Sequence, residues 1–125
     1  MLRACRRVLR PGAQMLFTTI EPVPGLSPAQ RRLAGRSGPS AVLARTSYES
    51  LLATAGFADV EIRDITPAYR ATQHAWIDAT RRRAGPIRTA TSDAAFEQRL
   101  ADRERALDAI DDGVLRRTSY MTSRR

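Results

Sequence analysis

The chain has 125 residues, 42% of them apolar and 27% charged, a globular composition sufficient for one domain and too apolar for wholesale disorder. No apolar run approaches the roughly 18 residues of a membrane helix, a single cysteine (Cys5) excludes an internal disulfide framework, and Cys5 with the single His74 cannot close a zinc site. The net charge of +8 rests on 21 arginines with no lysine and no asparagine, so GC-rich coding accounts for part of the excess, and the scattered aromatics lack the interleaving of single-strand binders, which disfavours nucleic acid as a partner.

Leu2, Cys5, Val8 and Leu9 follow a helical period, predicting a helix over 2–10 that Pro11-Gly12 stops. Four arginines and no acid in the first ten residues resemble a targeting n-region, but no continuous apolar segment follows. The chain therefore reads as a cytoplasmic protein of a reducing compartment. Gln14–Ile20 is nearly all apolar or branched, as in a strand covered on both faces, and places Thr18, Thr19 and Glu21 at its carboxyl end. Residues 22–45 carry four prolines and three glycines and read as a long irregular loop with a short helix over Pro28–Leu33, capped by Ser27. Thr46 and Glu49 have capping-box spacing and open a helix with Tyr48, Leu51, Leu52 and Ala55 on one face, closed by Gly56.

A strand is predicted over Asp59–Thr66 and ends at Pro67. Residues 68–84 read as a helix with Trp76, Ile77 and Thr80 as its face, broken by Gly85-Pro86. A second helix over 93–112 is capped by Ser92 and carries a stripe of Phe96, Leu100, Leu107 and Ile110. Gly113 ends it, and Val114–Thr122 reads as the last strand.

Three stretches in this order carry a resemblance. Arg7-Val8-Leu9-Arg10-Pro11-Gly12 leads into the strand Met15–Ile20. Tyr48-Glu49, Leu51-Leu52 and Ala55-Gly56-Phe57 precede Asp59-Val60-Glu61-Ile62. Asp112-Gly113-Val114-Leu115-Arg116-Arg117 leads to Tyr120. Together they resemble the carboxyl-terminal half of class I S-adenosylmethionine-dependent methyltransferases, from the helix before strand five to strand seven. The resemblance implies an α/β, Rossmann-like part-fold: one truncated domain over 1–125 with a three-stranded mixed sheet in order 5-7-6. The last strand, Val114–Thr122, would be central and antiparallel. The 22–45 loop and the 68–112 helical insertion would lie on the substrate side. It further implies that the chain starts inside the helix before strand five, from an internal start or as one piece of a split gene.

The family holds its cofactor with a glycine-rich turn and an acidic residue upstream of where this chain begins. S-adenosylmethionine is thus expected for the complete fold and no cofactor for this chain alone; Pro24-Gly25 and Gly35–Gly38 do not read as strand-to-helix turns. Ligands of open α/β sheets sit beyond the carboxyl ends of the strands, which makes Thr18 and Thr19 candidates for contacting a small-molecule methyl acceptor and Glu21 a candidate base. His74 is a candidate base because its ordinary pKa suits proton transfer near neutrality, against a surface or packing role. Tyr69 and Trp76 are candidate substrate platforms, against helix packing. Arg81-Arg82-Arg83 could grip a phosphate or simply end a helix in solvent. Two functions compete: an acceptor-side methyltransferase piece, inactive without its cofactor-binding half, and a non-enzymatic arginine-rich binding or assembly module. The expected partners are an amino-terminal half or a second copy. They would be needed because the strand edge of Met15–Ile20 and the Leu2/Cys5/Leu9 face of the first helix are expected to lack neighbours.

Overall fold

The end of the chain becomes the middle of the sheet. In the computed structural model, which describes residues 1–40 and 42–125, strand β3 (Leu115–Arg124) lies between β1 (Gln14–Pro22) and β2 (Phe57–Asp64). Both pairings are antiparallel. The expected order and the central last strand hold, but the expected mixed sheet does not. β1 and β2 run the same way yet never pair, so every ladder in the described residues is antiparallel. Ala41, inside the expected 22–45 loop, lies outside the described residues.

The register Gln14↔Ser123 through Pro22↔Leu115, with side chains alternating between faces, sorts the two strands. Met15, Phe17, Thr19 and Glu21 share one face with Thr122, Tyr120, Thr118 and Arg116. Helices α1 (Leu2–Val8) and α3 (Tyr48–Thr54) cover that face. Leu52, Ala55, Phe57 and Tyr120 are buried there, and Leu2, Cys5 and Leu9 of the first segment pack on them. The face of α1 expected to lack neighbours is therefore already seated; Val8, 84% exposed, is the large apolar side chain of α1 that points outward.

The other face is covered at one end only. There α2 (Pro28–Ser37), α4 (Thr66–Arg82) and α6 (Asp93–Asp111) bury Ala34, Ala109, Ile110, Val114 and Leu115, with Ile20 and Tyr69 packed against them. Towards the start of β1 this face is open, and Leu16 is 64% exposed. The expectation of a strand covered on both faces is met only at its carboxyl end.

Local chemistry explains where the elements depart from expectation. The expected helix within 22–45 is present but runs four residues further, as the ten-residue α2, opened by a capping box at the expected Ser27 in which Gln30 N–H donates to Ser27 Oγ (3.2 Å) and Ser27 N–H donates to Gln30 Oε1 (2.9 Å). The cap of α3 is Ser47 rather than Thr46, with Ser50 N–H donating to its Oγ at 3.2 Å. Gly56 follows α3 with φ +87°, the left-handed conformation that glycine adopts without cost. Gly85-Pro86 marks the expected break, with α4 ending at Arg82. It lies in the first turn of α5 (Ala84–Ala90), where backbone N–H groups have no intrahelical acceptor and a proline loses nothing. Among the described residues, no helix is long and apolar enough to cross a membrane.

Candidate functional site

Glu21 is the most heavily hydrogen-bonded side chain among the described residues. It sits near the carboxyl end of β1, 8% exposed, directly opposite Arg116 in the β1–β3 register. Arg116 donates to Glu21 Oε1 from Nε (2.9 Å) and Nη2 (2.7 Å). Thr118 Oγ1 donates to the same oxygen at 2.8 Å, and the Tyr120 hydroxyl lies 2.9 Å from both carboxylate oxygens. These donors occupy alternate positions of one strand, so a single β3 face supplies all of them. Burial, reinforced by the hydrogen bond to Glu21, pushes the Tyr120 hydroxyl well above its usual pKa. Burial opposes the charge on Arg116, but the hydrogen bonds and attraction of Glu21 prevail and raise its pKa. The result is a fixed ion pair with a neutral phenol beside it.

Glu21, Arg116 and Tyr120 form the floor of an open cleft of about 710 Å³. Its walls are the turn after β1, the residues before α3, and Tyr48. Arg31 Nη2 donates to Ala44 O at 2.8 Å and ties α2 to one wall. Phe17, Tyr48 and Tyr120 form an aromatic group with centroids 5.2–5.7 Å apart, which fixes the floor from behind.

Of the six residues the sequence marks as candidates, one lines this cleft. Glu21 does. Thr19 stands just behind it, its Oγ1 3.3 Å from the Tyr48 hydroxyl. Thr18 faces the opposite side of the sheet, where Arg117 Nη2 donates to its Oγ1 at 2.7 Å. Arg117 also lies over the Tyr69 ring, 4.7 Å from its centroid, so Thr18 and Tyr69 are joined through one guanidinium. His74 and Trp76 are exposed on α4, outside the cleft. His74 adds a small part to the lowering of the Asp111 carboxyl pKa, which is due chiefly to a hydrogen bond from Arg70. The ring of Trp76, 54% exposed, is covered by Arg103 at 4.5 Å. Arg116, Thr118, Tyr120 and Tyr48 join the site without being marked by the sequence reading. The signal for the first three was the alternation Arg116, Thr118, Tyr120, Thr122 of polar side chains along a strand whose register against Glu21 only the fold supplies.

Contrary to the sequence reading, Pro24-Gly25 does stand between a strand, β1, and a helix, α2, with Gly25 at φ +79°. The turn still does not fit an S-adenosylmethionine cradle. Pro22, Pro24 and Pro28 have no N–H to offer, and the capping box already engages the Ser27 and Gln30 N–H groups. Among the described residues, no group of three histidine, cysteine or acidic side chains could hold a metal ion.

No protein-family model matches the chain, and no curated protein matches it in sequence. Solved structures do match in fold. Phosphoethanolamine N-methyltransferase 2 of Haemonchus contortus, in complex with phosphomonomethylethanolamine and S-adenosylhomocysteine, superposes with TM-score 0.75 at 17% identity, over 98% of this chain and 29% of its own. Cyclopropane synthase MmaA2 of Mycobacterium tuberculosis superposes with TM-score 0.75 at 14% identity, over 98% of this chain and 48% of its own. Mycolic acid cyclopropane synthase CmaA1 gives TM-score 0.77 at 16% identity, over 98% and 51%. At these identities the likeness is one of fold. The chain has the fold of part of the class I S-adenosylmethionine-dependent methyltransferases, as the resemblance to their carboxyl-terminal half implies, and it spans between 29% and 51% of the length of these three proteins.

Proposed function

We propose that this chain is the acceptor-side portion of an S-adenosylmethionine-dependent methyltransferase for a small molecule, and that methyl transfer requires a further segment carrying the cofactor site. The supporting observation is the fold match over 98% of this chain against at most 51% of the three methyltransferase-fold proteins, combined with a polar cleft at the carboxyl end of β1. Within that cleft Glu21 acts as a positioning carboxylate rather than a free base. Oε1 is engaged by two N–H groups of Arg116 and by Thr118, whereas Oε2 has only a share of the single Tyr120 hydroxyl proton and keeps capacity for one more donor. An amine or hydroxyl of the acceptor suits that position. The Haemonchus protein is in complex with an amine of this kind. Positioning of the acceptor is the contribution that in-line methyl transfer needs most from this side. Thr19 supports the floor through Tyr48, whereas the 68–112 insertion, which carries Tyr69, His74 and Trp76, packs on the opposite face of the sheet and would reach an acceptor only from outside this cleft. The setting is cytoplasmic.

Calorimetric titration with S-adenosylmethionine tests this reading. The chain alone should show no measurable binding. Co-expressed with an amino-terminal half carrying strands one to four, it should bind at micromolar concentration. Micromolar binding by the chain alone would place it elsewhere in the fold, and no binding with such a half would remove the reading. A second reading, an arginine-rich assembly module, draws on the ion-pair pattern. Only Arg63, Arg70, Arg81, Arg88, Arg105 and Arg116 have a carboxylate partner among the described residues. Steeply salt-dependent binding to unrelated DNA and RNA would favour it.

A further inference from the structure

A second cleft, of about 570 Å³, opens between the carboxyl end of α2 and the facing sides of α4 and α6. Ile20 lines it, so it lies across the sheet from Glu21. Its charges are unbalanced: Arg99, Arg103 and Arg105 line it against a single acid, Asp102. Asp102 is already engaged by Arg105 Nη1 at 3.0 Å and by Gln98 Nε2 at 2.9 Å. Arg103 has no carboxylate partner. It stacks on Trp76 at 4.5 Å and donates from Nη1 to Gln73 Oε1 at 3.4 Å. Arg99 makes no hydrogen bond or ion pair among the described residues.

Arg99 and Arg103 are four residues apart on α6, where like charges repel. An oxyanion between them would turn that repulsion into charge-assisted hydrogen bonds. Arg103 is already held by Trp76 and Gln73, so little freedom remains to be lost on binding. Neutral donors complete the lining: the Tyr69 and Ser40 hydroxyls, and the hydroxyl of the buried Ser37, which has no side-chain hydrogen bond among the described residues. The carboxyl end of α2 brings a partial negative charge to the rim, about half a unit, against two uncompensated guanidinium groups. The volume is that of a small-molecule site.

We propose that this cleft binds the phosphate group of a small molecule through Arg99 and Arg103. The proposal is independent of methyl transfer and of the Glu21 cleft. Above about pH 6 a phosphomonoester is a dianion with three acceptor oxygens, which matches two guanidinium forks and flanking hydroxyls better than a carboxylate does.

The test is calorimetric titration of the full chain with glycerol 3-phosphate, inorganic phosphate and chloride at matched ionic strength. The single tryptophan, Trp76, gives a parallel fluorescence readout because it touches Arg103. Saturable binding of either phosphate compound supports the site. Tighter binding of the ester identifies an organic phosphate as the ligand, and equal binding identifies free phosphate. Arg99→Gln, at an exposed position, should weaken binding at least about tenfold, the loss of one charge-assisted contact. Arg103→Lys should weaken it less than Arg103→Gln, and Arg82→Gln at the end of α4 should leave it unchanged. The proposal is overturned if chloride reproduces the signal, if Arg82→Gln weakens binding as much as Arg99→Gln, or if neither phosphate compound binds.

Discussion

Glu21 shows what a single position says before and after the fold is known. Its place at a strand end was legible, because strand and turn signals bracket it. Its role was not, because the donors that surround it lie 95 to 99 residues away in sequence. The ion pair with Arg116 is largely withdrawn from water, with side-chain exposures of 11% and 25%. Glu21→Gln keeps the shape and removes the charge, leaving Arg116 without a counter-ion. The expected loss is about 2 kcal/mol, below the 3–5 kcal/mol of a fully buried pair because water still reaches the guanidinium. Urea denaturation measures it, and the Glu21→Gln, Arg116→Met double variant should lose less than the sum of the two single changes. Tyr120 adds a pH dependence. Its pKa is raised in the folded chain, so on raising the pH the unfolded chain gives up this proton first. The stabilisation is complete below about pH 10 and declines above it by about 1.4 kcal/mol per pH unit. Tyr120→Phe should remove that decline, and a wild-type chain whose stability is flat from pH 9 to 11 would contradict the burial of this hydroxyl.

Elements were legible where a local signal stands alone, and were misread where two signals compete. Ser92 as the cap of α6 and Gly56 as the stop of α3 both hold, since each rests on one residue whose chemistry suits one conformation. The cap of α3 moved from Thr46 to Ser47 because adjacent hydroxyls offer two registers, and packing of Leu52 at 0% exposure selects between them. Gly85-Pro86 reads as a breaker, and α4 does end just before it at Arg82, but a proline is equally at home in a first helical turn, so the same dipeptide also lies at the start of α5. At Gly56 the constraint is doubled. A Cβ there would meet Arg6 Nε at 2.5 Å, and Arg6 Nε donates to Gly56 O at 3.3 Å. Gly56→Ala is expected to cost about 1–2 kcal/mol for the left-handed backbone and to loosen α1 from the end of α3. The check is thermal unfolding with amide exchange on α1. Gly25→Ala is the comparison, since it is also at positive φ but has nothing within 4 Å; it should destabilise the chain without affecting α1.

For the whole molecule, the order of strands was legible from the resemblance, while the incomplete cover of the sheet face depends on where the helices pack. β1 lies at the sheet edge, paired on one side only among the described residues. Leu16 on its open face is 64% exposed and Val8 on α1 is 84% exposed. Unpaired strand edges template association, and burying each such side chain is worth roughly 1.5–3 kcal/mol against a whole-domain stability of about 5–15 kcal/mol. The three methyltransferase-fold proteins have between about 49% and 71% of their length outside the matched region, so the proposed occupant of this edge is a segment carrying the remaining strands. On its own, the chain should self-associate or unfold at modest temperature, and co-expression with such a segment should raise both its solubility and its midpoint. Leu16→Lys separates the two contributions. It should improve the solubility of the isolated chain by placing a charge on the exposed sheet face, and it should weaken capture of the partner segment. Sedimentation and thermal unfolding decide the matter: a monodisperse monomer unfolding cooperatively well above roughly 60 °C, beyond the usual mesophile range, with no partner present would show that the edge is tolerated and would favour an independent binding module.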